Sequence, residues 1–144
     1  MSKWDHRFLS MAALVGSWSK DPSTKCGCVI VDGNRIISLG FNGYPHGLED
    51  KKDKRGVKYD KTIHAELNAI LHAKQPLIGR VLYTWPMQPC AKCAAVIIQS
   101  GISKVIVGIP VGMNDTIARW ADSFFLAETM LREAGVELEL KVMI

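Results

Sequence analysis

Apolar residues recur at helical spacing near the start of the chain. Phe8, Met11, Ala12, Leu14 and Val15 predict a helix from about Trp4 to Trp18. The turn formers of "SKDPSTK" end it. The next stretch, "CGCVIVDGNRIISLGFNGYPHG", predicts two strands joined at Asp32-Gly33-Asn34, because Asp-Gly between apolar runs is a strong hairpin signal. Gly and Pro from Gly40 to Gly47 close that unit. A helix is predicted from about His64 to Lys74, then a strand in "GRVLYTWP", a helix from about Cys90 to Ser100 and a strand in "ISKVIVGIP". A long helix follows from about Thr116 to Glu133, stopped by Gly135, and "VELEL" is a last strand. Strands that alternate with helices after a hairpin predict an α/β fold. It is a three-layer α/β/α sandwich around a mixed sheet of about five strands, in one domain over 1–144.

Composition agrees with that picture. At 144 residues, 48% hydrophobic and 22% charged, the chain is sized for one core. No run reaches the roughly 18 apolar residues of a membrane span, and the first residues lack the order of a secretory signal. A cytoplasmic location with no membrane partner is therefore expected. The net charge of +4 is modest, and much of the basic excess sits in "EDKKDKRGVKYDK", Glu49 to Lys61, which is mixed in sign and predicted to be a solvated loop. So weak a balance suits a small anionic substrate and implies no stable nucleic-acid partner. The cysteines, Cys26-x-Cys28 and Cys90-x-x-Cys93, point to metal binding or burial rather than a disulfide framework.

His64-Ala65-Glu66 and Pro89-Cys90-Ala91-Lys92-Cys93 both stand at predicted helix starts. Alone, each has a plain explanation. A histidine can be a satisfied surface group, a first-turn glutamate complements the helix dipole, and cysteines three apart can pack into a core. Together, one histidine and two cysteines supply three zinc ligands and leave a fourth position open, which is the catalytic arrangement. A helix start at Cys90 favours thiolates. Two thiolates nearly cancel the metal's charge, so its water needs a nearby base, and Glu66 is the candidate. Residues two apart on a regular helix point to different sides. That places Glu66 beside the metal rather than on it.

His-x-Glu followed by Pro-Cys-x-x-Cys resembles the signature of the zinc-dependent nucleobase and nucleotide deaminases. The longer stretches "SKDPSTKCG", "GFNGYP" and "HAELNAI" are similar to the deoxycytidylate (dCMP) deaminase family, whereas tRNA adenosine deaminases differ at Leu67-Asn68-Ala69-Ile70. The resemblance implies hydrolysis of dCMP to dUMP, the thymidylate precursor, and ammonia. Zinc on His64, Cys90 and Cys93 would activate the water that attacks C4, while Glu66 moves its proton to N3 and helps ammonia leave. Asn42 would face the sugar, or serve only as a turn residue. Ala65 would offer backbone groups to the base, and Trp85 would wall the pocket or sit in the core. Lys25, with Ser23 and Thr24, would bind the substrate phosphate or a regulatory nucleotide. Family members are often homo-oligomers, hexamers among them, activated by dCTP and inhibited by dTTP with Mg²⁺ on the triphosphate. The turn at Asn42, Gly43 and Tyr44 is the expected effector site.

Cys26 and Cys28 stand where relatives carry Val and Ala. Buried packing is expected for them, the alternative being a second metal site with His46 or His72. Two further readings stay open: a deaminase for another cytosine nucleotide, for cytidine or for tRNA adenosine, and a structural zinc module using Cys26, Cys28, Cys90 and Cys93. The second leaves His64 and Glu66 without a role.

Overall fold

The structure is a computed structural model, and it describes residues 1–143. In chain order the elements are α1 (Lys3–Gly16), β1 (Gly27–Asp32), β2 (Arg35–Phe41), α2 (Arg55–Lys61), α3 (Ala65–Ala73), β3 (Val81–Trp85), α4 (Ala91–Ser100), β4 (Lys104–Pro110), α5 (Asn114–Arg119), α6 (Ala121–Glu133) and β5 (Glu137–Met143). The strands form one five-stranded sheet in the order β2-β1-β3-β4-β5. β1 runs antiparallel to β2 and β3, and β3, β4 and β5 run parallel, so the sheet is mixed. Gly33 takes the left-handed φ of 59° that the β1–β2 turn requires.

Alternation along the strands separates two cores. Val29 and Val31 of β1, Tyr83 of β3 and Ile106 of β4 meet Phe8, Leu9 and Ala12 of α1 on one face. Cys28, Ile30, Leu82, Val105 and Val107 face the other way, onto α3, α4 and α6. The predicted three-layer sandwich is the observed one. None of the helices among the described residues is long and apolar enough to cross a membrane.

Two segments differ from expectation. The charged run predicted as a loop contains α2, which buries no residue and so carries no apolar period to reveal it. The long helix predicted from Thr116 to Glu133 breaks at Trp120, whose backbone (φ −104°, ψ 9°) separates α5 from α6. The indole there packs against Tyr59 and His64, so a tertiary contact sets the break.

Close approach of α3 to the sheet depends on Gly40 in β2. A Cβ at this position would lie 2.4 Å from the Ala69 nitrogen and 2.5 Å from the Ala65 carbonyl oxygen, both backbone atoms that cannot rotate away. Gly40→Ala is expected to destabilise the fold by roughly 1–3 kcal/mol, the usual cost of overpacking. Its urea midpoint should fall accordingly; an unchanged midpoint would mean that α3 can retreat without cost.

Candidate active site

The chemistry-bearing residues cluster where α3 and α4 begin. His64 and Cys90 are the extended residues before these helices (ψ 156° and 173°), and neither side chain caps its own helix. Both are therefore free to point past the helix end. Cys93, one turn into α4, joins them: His64 Nδ1 lies 3.3 Å from Cys93 Sγ and 3.4 Å from Cys90 Sγ, and the three donor atoms all fall within 4.8 Å of one another. A tetrahedral zinc with ordinary Zn–N and Zn–S bonds needs an N···S edge of about 3.5 Å. The donor set fits zinc in both type and spacing, and three protein ligands leave a fourth position free.

Because His64 is extended rather than helical, the expectation that it and Glu66 point to different sides does not apply. Both line the same cleft. Glu66 is buried, with Oε1 3.4 Å from Thr84 Oγ1. Burial pushes its carboxyl up from the ordinary value, while the charge on His64 opposes the rise. Contact with Cys93 and with His64 pulls the Cys90 thiol down to about 4, while contact with Cys90 and burial push Cys93 up. His64 is raised chiefly by its hydrogen bond to the Cys90 sulfur, against its own burial.

Residues 2–109 match the family model of the cytidine and deoxycytidylate deaminase zinc-binding region. The chain belongs to this deaminase family. A protein described as an uncharacterized deaminase in the luxG 3′ region of Aliivibrio fischeri is 52% identical over 140 residues, which span 96% of this chain and 93% of the relative. Human deoxycytidylate deaminase is 34% identical over 113 residues, 72% of this chain and 64% of the human one. The fold matches the dCMP deaminase of cyanophage S-TIM5, solved with dCMP and dUMP, at a TM-score of 0.78 and 24% identity, over 98% of this chain and 99% of that one.

Asn42, Ala65, Ser23 and Thr24 also line this cleft. Asn42 is buried. Its Oδ1 accepts from the Cys26 N–H and its Nδ2 donates to the Thr24 carbonyl, each at 2.9 Å, so it clamps the start of β1 to the turn after β2 and faces the cleft as well. Gly43 and Tyr44 line a second cleft beside the first, which shares Asp21, Ser23, Asn42 and Lys58 with it.

Two expectations are corrected, and the packing expected of Cys26 and Cys28 is found. Lys25 is not brought in: its neighbours Thr24 and Cys26 line the cleft, whereas Lys25 is exposed and donates to the Ser19 carbonyl. Trp85 lies on the opposite face of the sheet, with Val81 and Tyr83, where its ring and Leu9 crowd Gly108. Cys26 and Cys28 do not form a second metal site or complete a four-cysteine one. Among the described residues His64, Cys90 and Cys93 are the group able to hold an ion, while Cys28 is core and Cys26 lines the cleft, where burial pushes its thiol up.

The cleft also contains residues that sequence reasoning missed: Lys58 and Tyr59 from α2, Gln88 before α4, and Arg119, Trp120 and Phe124 around the α5–α6 break. Gln88 Nε2 donates to the Phe124 carbonyl and the Ala91 N–H donates to Ser123 Oγ, ties that fix the start of α4 to α6.

Proposed function

We propose that this chain hydrolyses dCMP to dUMP and ammonia, supplying dUMP for thymidylate synthesis. The observation that carries this is the buried Glu66 carboxyl sharing a cleft with His64 and Cys90, two of the three residues of the His64, Cys90 and Cys93 donor set. The substrate is supported by the deoxycytidylate deaminases among the relatives, including the human protein at 34% identity. His64, Cys90 and Cys93 would hold a zinc ion, which would supply the Lewis acidity that makes a water nucleophilic near neutral pH. Glu66 accepts the proton of that water on a carboxylate oxygen, delivers it to ring N3 as C4 is attacked, and then assists loss of the C4 amine as ammonia. Thr84, at 3.4 Å, helps hold the carboxylate in place. Ala65, whose small side chain is fully buried at the helix start, leaves room for the ring and presents backbone groups to it.

Regulation belongs to the same proposal. The turn carrying Asn42, Gly43 and Tyr44 lines the second cleft with Lys20, Lys51, Lys52 and Arg55, cations suited to a triphosphate with its Mg²⁺. dCTP as activator, dTTP as inhibitor, a homo-oligomeric assembly such as a hexamer and a cytoplasmic location complete it.

A substrate panel tests the reading. Ultraviolet-monitored deamination of dCMP, dCTP, cytidine and a tRNA anticodon stem, with and without dCTP and dTTP, is expected to show turnover concentrated on dCMP. Turnover of another member with dCMP untouched in every condition would reassign the substrate.

A further inference from the structure

We infer that Arg119, at the end of α5, is the residue that recognises the substrate's phosphate. This rests on the reading of the cleft as a nucleotide deaminase site and names the group that tells a nucleotide from a nucleoside. Two cations line the cleft, Lys58 and Arg119, and they differ in what their charge is already doing. Lys58 Nζ lies 3.0 Å from Asp21 Oδ1 and 3.1 Å from Ser23 Oγ, and the Lys58 and Asp21 side chains are only 14% and 9% exposed. Asp21 in turn accepts from the Ser23 and Thr24 N–H groups. Lys58 is thus neutralised in place and braces the wall between the two clefts.

Arg119 forms no ion pair with another described residue. Asp115 stands four residues before it, where an acid on the same helix would neutralise it, and the two are not paired. Its position is nevertheless fixed. The next residue, Trp120, packs its ring 5.6 Å from Tyr59 and 6.3 Å from the His64 imidazole, so the segment carrying Arg119 is tied to a metal donor. The carboxylates of the cleft are Asp21, already paired with Lys58, and Glu66, which would repel a phosphate. An exposed guanidinium at the rim supplies the missing attraction, and its planar fork matches two phosphate oxygens at once.

The test compares dUMP with deoxyuridine by calorimetry on the zinc-loaded protein, alongside dCMP kinetics. Arg119 is exposed, so Arg119→Ala should fold and keep its zinc. It is expected to weaken dUMP binding and raise the KM for dCMP by roughly 10- to 100-fold, the worth of a charged hydrogen-bond pair, while deoxyuridine binding changes less than about twofold. Arg119→Lys should recover part of the loss, keeping the charge without the fork. Equal weakening of dUMP and deoxyuridine, or no weakening of either, would overturn the inference while dCMP turnover by the wild type leaves the functional reading intact. If the wild type fails to deaminate dCMP, that reading falls. The dUMP-to-deoxyuridine gap then judges Arg119 alone, and a gap that is absent, or that survives in Arg119→Ala, rejects it.

Discussion

Glu66→Gln is expected to retain zinc and lose at least about 10²-fold in kcat on dCMP, the lower range for removing a general acid–base group. Glutamine keeps the length and shape of glutamate, so the buried side chain can stay near Thr84 without opening a cavity. It lacks a site for the water proton. Because His64, Cys90 and Cys93 are untouched, metal content by atomic absorption should match the wild type, and the KM should change far less than kcat. The pH profile carries a second signature. Only the deprotonated Glu66 carboxyl can accept a proton, so the wild-type rate should fall as pH drops through its titration. The acid limb should be absent from the residual activity of the variant. Near-normal turnover in Glu66→Gln would remove the residue from the proton-moving role.

What was legible beforehand follows the range of the physical signal. The strands β1 and β2, the Asp-Gly turn between them and the helices that follow His64 and Cys90 all announce themselves within a few residues, through period and turn chemistry. The sheet's two faces follow from alternation alone, with Val29 and Val31 on one side and Cys28 and Ile30 on the other. The metal donors were legible because zinc demands particular ligand types, and their pattern survives in one dimension. The same alternation, applied to Trp85 beyond Thr84, would have turned it away from the site.

The missed residues had no local signal. α2 buries nothing, so Lys58 and Tyr59 looked like ordinary members of a solvated charge run. Trp120 fits a continuous helix by period, and only its contacts with Tyr59 and His64 explain why the chain turns there and presents Arg119 to the cleft. Those contacts join segments far apart in sequence, which no pattern within a window of some 15 residues can encode.

Cys90→Ala is expected to leave the protein unable to hold zinc through dialysis against a mild chelator, with dCMP turnover falling to background. The three donors face one another within 4.8 Å, and removing one sulfur leaves two ligands, too few for a stable tetrahedral site. Cys90 lies outside the body of α4, at its N-cap, and makes no side-chain cap bond, so its loss should spare the helix. The secondary structure seen by circular dichroism should persist, separating metal loss from unfolding. Cys28→Ala supplies the contrast. That side chain is fully buried in the core on the α3, α4 and α6 face and should cost stability on the order of 1 kcal/mol while zinc stays at one per chain. Cys26→Ala should likewise keep its metal, since Cys26 lines the cleft without belonging to the donor group. Full zinc in Cys90→Ala would contradict the ligand assignment. Zinc lost from Cys26→Ala and Cys28→Ala as readily as from Cys90→Ala would instead revive a four-cysteine site, in which His64 and Glu66 have no part.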